Sequence, residues 1–250
     1  MRSVTFTQLL RETLAAELRR DPSVFLMGED IGVYGGSFGV TRGLIDEFGP
    51  ERVRDTPISE QALTGVAIGA AVAGQRPVIE IMFMDFITLA VDQLVNMAAK
   101  LYPVYGVRCP LVIRTPPGAG RGYGATHSQS LERLFTGVPG IKIAAPSDAA
   151  DAAGLLQTAI RDDNPVLFLE HKLLYPQRFE VGDGLPPPIP FGAARLVREG
   201  TDVTLVAWSH MTQVARQAAA ALAEEGIEAE VVDLRTLNPL DLDTVAASAK

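Results

Sequence analysis

The sequence contains very little cysteine, and this scarcity excludes two kinds of site. Cys109 is the only cysteine among the 250 residues. The chain can therefore form neither an internal disulfide framework nor a thiolate metal site. A lone thiol is typical of a reducing compartment, and we expect a cytoplasmic protein.

Basic runs and long apolar runs are also missing. The net charge is −8 and no Lys/Arg run is present, which argues against nucleic acid as a partner. The N-terminal stretch MRSVTFTQLLRETLAAELRRDPS has polar residues every few positions, so we expect neither a signal peptide nor a membrane anchor. With 47% hydrophobic and 21% charged residues, the composition is typical of an α/β enzyme.

Helix-like and strand-like segments alternate along the chain. FTQLLRETLAAELRRDP has apolar residues at helical spacing and ends at Asp21-Pro22. After it come the strand VFLMGED, a helix over 61–74, the strand RPVIEIMFM, the helix LAVDQLVNMAAKLY, the strand PLVIRTP, the helix DAAGLLQTAIRDD and the strand PVLFLEHK. Short apolar strands separated by helices predict a largely parallel sheet with helices on both faces.

A Pro/Gly-rich stretch, GDGLPPPIPFG at 182–192, marks a linker between two domains. The first domain covers 1–181 and the second covers 193–250. The second shows the strand TDVTLVAWS, the helix TQVARQAAAALAEEG and the strand AEVVDLRTLNPLD. Two strands and one full helix bury little core, so we expect the second domain to be incomplete in this sequence.

The stretch RDTPISEQ, residues 54–61, places the Glu60 carboxylate just before the apolar segment ALTGVAIGAAVAG. No charged residue follows Glu60 until Arg76. One interpretation is helix capping, with Ser59 as N-cap and Glu60 as a first-turn acid. The other is a buried acid with a catalytic role. The local pattern alone leaves both open.

Several motifs in order resemble one protein family over the whole chain. They are GED (28–30), GGSFGVTRGL (35–44), DTPISEQ (55–61), DFITLAVDQLVNMAAK (85–100), HSQS (127–130) and AIRDDNPVLFLE (159–170). They resemble the β subunits of the thiamine-dependent 2-oxo acid dehydrogenases, the decarboxylating components of pyruvate, acetoin or branched-chain complexes. The resemblance implies a thiamine-diphosphate-binding fold, with a pyrimidine-binding domain followed by the start of a transketolase C-terminal-like α/β domain.

The resemblance also implies a pyrimidine site. Thiamine diphosphate activates itself when its aminopyrimidine N1′ is protonated, and the family's acid at that atom corresponds to Glu60. Phe86 is expected to stack on the ring, with Ile58 and Met82 lining the slot. A carboxyl group in an apolar pocket has its pKa raised and can hold a proton near neutrality.

His127 is the second catalytic residue that the resemblance implies, at the substrate carboxylate or during transfer to the lipoyl group. It lies in a glycine-rich loop and can titrate near physiological pH. Relatives carry further histidines just before it, where this chain has Ala125 and Thr126. Glu29 is a candidate for an acidic relay between paired sites.

A potassium site seen in some relatives corresponds to Leu111, Ala159, Ile160, Asp162 and Asn164. Oxygen ligands suit such a hard cation. The alternative is a helix end followed by a turn, because RDDNP is favourable turn chemistry by itself.

No valid motif for the diphosphate and its Mg²⁺ is present. GDG at 182–184 lies in the linker, and no asparagine follows at the spacing that the motif needs. GAGRGYG at 118–124 does not meet the G-x-G-x-x-G fingerprint. The family implies an α subunit that supplies this half of the site in an α2β2 heterotetramer.

We therefore expect an enzyme subunit that decarboxylates a small 2-oxo acid and acylates the lipoyl group of a dihydrolipoyl acyltransferase core. Pyruvate or acetoin is favoured over branched-chain substrates by MFMDFITLAVDQ and RTPPGAGRGYGATHSQS. The alternatives are a noncatalytic shortened β homologue serving in assembly, and a transketolase or deoxyxylulose phosphate synthase type of enzyme reduced to its pyrimidine domain. We expect no nucleic-acid or membrane partner.

Overall fold

The computed structural model describes residues 1–249. These residues form twelve strands and eight α-helices. The strands are β1 (Arg2–Thr5), β2 (Val24–Gly28), β3 (Val53–Asp55), β4 (Arg76–Glu80), β5 (Val112–Thr115), β6 (Lys142–Ala144), β7 (Val166–Leu169), β8 (Arg178–Val181), β9 (Arg195–Arg198), β10 (Val203–Ala207), β11 (Ala229–Asp233) and β12 (Thr236–Asn238). The helices are α1 (Phe6–Arg20), α2 (Leu44–Phe48), α3 (Glu60–Val72), α4 (Ala99–Tyr105), α5 (Arg133–Thr136), α6 (Ala149–Arg161), α7 (His210–Glu224) and α8 (Leu242–Ser248).

A seven-stranded sheet forms the centre of the molecule. Its strand order is β12-β6-β7-β5-β4-β2-β3, and every neighbouring pair is parallel except β12 with β6. The prediction of a largely parallel sheet is confirmed.

Alternate residues of the strands point into two separate cores. Val24 and Leu26 pack on the side of α1 and α6, whereas Phe25 and Met27 pack on the side of α3. Because a strand buried on both faces needs apolar residues at every position, these segments are continuous apolar runs. The expected helices on both faces are present.

The segment after β4 departs from the sequence prediction. RPVIEIMFM was expected to be strand throughout, but β4 ends at Glu80 and residues Met84–Ala90 form a 3₁₀-helix. Met84, Ile87 and Ala90 are all buried, and this three-residue spacing matches a 3₁₀-helix. A π-helical stretch, Gln93–Ala98, then leads into α4.

The chain after β8 forms a second, smaller sheet of order β10-β11-β9, covered by α7. The linker at 182–192 packs along α6: Ile189 N–H donates to Gly154 O at 3.1 Å, and Gln157 Nε2 donates to Pro186 O at 2.7 Å. The linker between the two sheets is thus held against α6 by hydrogen bonds.

The prediction that AEVVDLRTLNPLD forms a single strand is wrong. The chain turns at Arg235, which has a φ of 58° and donates two hydrogen bonds to the Asp151 carboxylate. β11 lies before this turn, and β12 after it joins the edge of the large sheet. The two units therefore share the large sheet, and the domain division at 182–192 stays a prediction. No helix in the described part of the chain is long and apolar enough to cross a membrane.

Candidate functional site

The predicted site residues follow the carboxyl ends of neighbouring parallel strands. Glu29 follows β2, Glu60 follows β3, Phe86 follows β4 and His127 follows β5. The carboxyl ends of parallel strands meet at one edge of a sheet, where α/β proteins bind their ligands. The structure thus places all four residues on the same edge.

Two buried acids lie at the start of α3. Glu29 is 3% exposed and Glu60 is 5% exposed. Burial raises the pKa of the Glu29 carboxyl, and the neighbouring Glu60 charge raises it further, against a hydrogen bond from the Ser59 backbone N–H that lowers it. The Glu29 carboxyl group is therefore harder to ionise than an exposed glutamate.

The N-cap interpretation of Ser59 holds for its position but not for its side chain. Ser59 is the N-cap residue of α3, yet its hydroxyl makes no capping hydrogen bond. Instead, Ser59 N–H donates to Glu29 Oε1 at 3.1 Å. Within residues 1–249 no hydrogen bond reaches the Glu60 carboxylate, so its oxygens are available to a ligand.

An aromatic cluster surrounds His127. The His127 ring lies edge-on to Phe83 and Phe86, with centroids 4.9 Å and 5.3 Å apart. Phe83 also contacts Phe38, Phe86 and Tyr123. Sequence reasoning chose Phe86 and missed Phe83, the ring that joins the cluster.

The two remaining pyrimidine-slot residues differ in their surroundings. Met82 is half-buried, in keeping with a wall position. Ile58 is 81% exposed, so it lines no closed slot formed by the described residues alone. The structure brings Phe86 and His127 together but leaves Ile58 facing outward.

A buried ionic network lies beneath the same strand ends. Arg114 donates two hydrogen bonds to Glu170 at 2.7 Å each and one to Glu80 at 2.8 Å, and Tyr175 OH donates to Glu170 at 2.8 Å. Burial raises the pKa of Glu80, although the Arg114 charge opposes this shift. Such a network specifies one arrangement of β4, β5 and β7, because breaking it would leave a buried charge unpaired.

The residues predicted for potassium already meet protein cations. Arg76 donates to Ile160 O at 3.1 Å and to Asp162 O at 3.0 Å, and Lys142 donates to the Asp162 carboxylate at 2.5 Å. Leu111 O accepts from Val166 N–H, Ala159 O accepts from Asp162 N–H, and Asn164 donates to Asp162. Ala159, Ile160, Asp162 and Asn164 thus lie at the end of α6 and in the turn after it, whereas Leu111 lies just before β5 and accepts from Val166 beyond the turn. The potassium site stays a prediction.

Protein-family models match both parts of the chain. The transketolase pyrimidine-binding domain matches residues 2–178, and the transketolase C-terminal domain matches residues 192–250.

Two curated relatives match nearly the whole sequence. The pyruvate dehydrogenase E1 component subunit β of Rickettsia bellii is 46% identical over 249 residues, which cover 99% of this chain and 76% of the relative. The acetoin:2,6-dichlorophenolindophenol oxidoreductase subunit β of Cupriavidus necator is 48% identical over 261 residues, covering 100% of this chain and 77% of the relative.

Solved structures share the fold. A split-gene transketolase described as an inactive β4 tetramer superposes with a TM-score of 0.79 at 27% identity, covering 96% of this chain and 75% of that one. A Pichia stipitis transketolase gives a TM-score of 0.71 at 18% identity, covering 94% and 35% of the two chains.

Proposed function

Since the chain belongs to the family of the pyruvate dehydrogenase E1 β subunits, with a transketolase-like fold, we propose that it works with an α subunit as a thiamine-diphosphate-dependent 2-oxo acid dehydrogenase. The net reaction converts pyruvate and an oxidised lipoyl group into carbon dioxide and an S-acylated dihydrolipoyl group. The acyl carbon is oxidised while the lipoyl disulfide is reduced, so the electrons balance.

One observation carries this proposal. Glu60 is 5% exposed and its carboxylate meets no hydrogen-bond donor in residues 1–249, on the same strand edge as the aromatic cluster around His127. A carboxyl group without a protein partner is free to bond a ligand, and a ring nitrogen would supply that partner. These residues fit the aminopyrimidine end of thiamine diphosphate.

When bound, thiamine diphosphate supplies a carbon acid that can add to a ketone and accept the electrons released by decarboxylation. Glu60 would hold a proton at the pyrimidine N1′. Phe86 and Met82 would cover the ring with apolar surface and exclude water. His127 would donate a hydrogen bond to the substrate carboxylate and orient it.

The diphosphate end is proposed to lie on the α subunit together with its Mg²⁺. In residues 1–249 no cluster of three or more His, Cys, Asp or Glu side chains could hold a metal ion. The potassium site also stays a proposal, in which the cation would share backbone oxygens that already accept hydrogen bonds within the chain. We also propose a cytoplasmic location, supported by the single, buried Cys109.

Exposed apolar side chains support the α-subunit partner. On and beside α3 they include Ile58 at 81%, Val66 at 60% and Val72 at 48% exposure, and Tyr102 and Tyr105 at 62% and 72% follow on α4. A cavity of about 180 Å³ beside Ala62 and Leu63 is lined mainly by apolar side chains. Apolar surface this extensive next to a site marks an interface. The lipoyl-bearing acyltransferase core would dock on the resulting α2β2 assembly.

A second candidate is an acetoin-cleaving enzyme, because the Cupriavidus relative is 48% identical along the entire chain. Both candidates use the same groups on this chain and differ in the substrate that reaches His127.

The test is co-production with an α subunit, followed by turnover of pyruvate, branched-chain 2-oxo acids and acetoin with a dye acceptor. We expect pyruvate to give the highest kcat/KM and Glu60→Gln to give the background rate. Preference for acetoin would support the second candidate. An assembled, cofactor-loaded complex without turnover on any of them would instead identify a noncatalytic homologue.

A further inference from the structure

His127 lies on a loop whose two ends are joined at a narrow neck. Gly118 N–H donates to Gln129 O at 3.1 Å, so the neck closes residues 118–129 into one loop. Gly118 has a φ of +99°, and a side chain there would collide with the His171 ring. The position of His127 thus depends on what fixes this neck.

Asp85 fixes one side of the neck. Its Oδ1 atom accepts hydrogen bonds from Ser128 N–H at 3.2 Å, Gln129 N–H at 3.2 Å and Gln129 Nε2 at 2.9 Å. Its Oδ2 atom is buried and has no partner among residues 1–249. Asp85 therefore carries a buried negative charge beside the loop.

Lys172 fixes the other side. Its side chain is fully buried, and Nζ donates to Gly118 O at 3.0 Å. The same Nζ atom lies 5.2 Å from the centre of the Phe83 ring, which contacts the His127 ring. One ammonium group thus touches both the neck of the loop and the aromatic ring that supports the histidine.

Burying the Lys172 ammonium group in this way lowers the stability of the fold. No carboxylate within the described residues forms an ion pair with Lys172, and burying a charge without a paired partner costs free energy. Burial lowers the pKa of Lys172 to about 8, while the Asp85 charge acts in the opposite direction. The other titratable groups near it are His171, whose ring is tilted against that of His210, and His127, which contacts the same Phe83 ring. An apolar side chain would fill the same space at a lower cost.

We propose that Lys172 is a positioning residue for His127, and that Asp85 is the matching charge on the opposite side of the loop neck. This inference rests on the proposed function, in which His127 contacts the substrate. Lys172 itself touches neither substrate nor cofactor. It acts by holding Gly118 and Phe83 where His127 needs them.

The first experiment compares Lys172→Met with wild type in the complex with the α subunit, using Arg216→Met on the exposed side of α7 as the control for loss of a cation. We expect Lys172→Met to lower kcat by about 10-fold or more, an effect in the range of misplaced catalytic groups, with thiamine diphosphate affinity within about 2-fold of wild type. We expect a melting temperature no lower than that of wild type, because the buried charge is gone. A purely structural lysine would instead lower the melting temperature and spare the kinetics of the folded fraction.

The second experiment observes His127 directly. The chain contains three histidines, so ¹³C-histidine labelling gives three imidazole signals that His127→Gln assigns. We expect the His127 signal to move or broaden in Lys172→Met and to stay unchanged in Arg216→Met. In wild type the His127 signal should also shift as Lys172 titrates near pH 8, and Lys172→Met should abolish this shift.

The signal is independent of turnover, so an inactive wild-type complex would defeat the proposed function without touching this inference. If Lys172→Met does not fold, Asp85→Asn provides the same test, because it keeps the Oδ1 acceptor but removes the charge. The double variant Asp85→Asn/Lys172→Met should lose less activity than the two single losses multiplied. An unchanged His127 signal in a folded Lys172→Met or Asp85→Asn variant would overturn the inference.

Discussion

The backbone N–H of Ser59 donates a hydrogen bond to the Glu29 carboxylate at 3.1 Å. A carboxylate from a neighbouring strand end thus accepts the hydrogen bond of the N-cap residue's own N–H, which in a capping box goes to a side chain at the third helical residue. The positive end of the helix dipole favours that charge. Glu60, the first residue of the helix, is relieved of the capping role and is left with a carboxylate that faces no protein donor.

We predict that Glu29→Gln raises stability at pH 7. Burial and the Glu60 charge raise the folded-state pKa of Glu29, so the folded protein binds the proton more tightly than the unfolded chain. Wild type therefore loses stability as the pH rises through that window, and the uncharged variant does not. Thermal unfolding should show a higher melting temperature for the variant at pH 7, but none of this gain below pH 4. A lower melting temperature at pH 7 would mean that the hydrogen bond to Ser59 outweighs the repulsion.

We predict that His127→Ala spares cofactor binding and cuts turnover. The His127 ring is perpendicular to the Phe83 and Phe86 rings, and the proposed function assigns it to the substrate rather than to the cofactor. Loss of a positioned acid or base lowers turnover by about 10²–10⁴-fold. Titration calorimetry and steady-state kinetics of the αβ complex would measure both effects. His210→Ala, on the second unit, is the matched control, and normal turnover in His127→Ala would return His127 to a packing role.

The strands of the large sheet could be predicted because each is an apolar run that the sheet buries on both faces. Two pairings could not be predicted. β1 pairs with β8 across the length of the first domain, and β12 pairs with β6 after the turn at Arg235. Each of these pairings joins short segments that are distant in sequence. Their local composition gives no sign of the partner.

The site could be predicted only where a residue belongs to a motif. Glu60 and His127 have roles that follow from their motifs, whereas Phe83, Asp85 and Lys172 lie in quoted stretches that assign them no role. Their roles arise from contacts between segments that follow β4, β5 and β7, and Lys172 in HKLLY looks like an ordinary surface lysine. Only the fold reveals that its ammonium group is buried.

We predict that acid weakens the fold through His171. Burial, the nearby His210 and the Lys172 charge lower the pKa of His171 to about 4. The unfolded chain, with a histidine pKa of about 6.5, takes up the proton first as the pH falls. The free energy of unfolding should therefore fall between pH 6.5 and pH 4, by at most roughly 3 kcal/mol from this group.

The variant His171→Asn isolates that contribution, because an asparagine oxygen can still accept the hydrogen bond from Leu173 N–H that His171 Nδ1 accepts at 3.2 Å. Asp233, whose pKa burial raises to about 6, acts in the opposite direction in both proteins. Denaturant unfolding at pH 7 and pH 5 should show a smaller loss for the variant. Equal losses in the two proteins would remove His171 from the acid response.

We predict that the isolated chain binds thiamine diphosphate too weakly to measure and gains affinity with the α subunit and Mg²⁺. The chain supplies an acid and an aromatic face, but the described residues hold no metal-binding cluster. Titration calorimetry with and without the α subunit would test this. Tight, Mg²⁺-dependent binding to the isolated chain would contradict it.

The decisive prediction concerns Glu60→Gln. Glutamine keeps the shape and one hydrogen bond but cannot exchange a proton with the pyrimidine N1′. Deuterium exchange at the cofactor C2 should slow by about 10²–10⁴-fold, equivalent to roughly 3–5 kcal/mol of barrier, while the fold survives. A capping acid predicts the reverse, a stability loss of about 1 kcal/mol with chemistry intact. The hydrogen bond from Ser59 to Glu29 already favours the first outcome, since the helix start keeps its carboxylate in the variant.

Exchange and thermal unfolding of the αβ complex, followed for wild type, Glu60→Gln and the control Glu51→Gln, separate the two roles. Wild-type exchange in a less stable Glu60→Gln complex would show that Glu60 only caps α3.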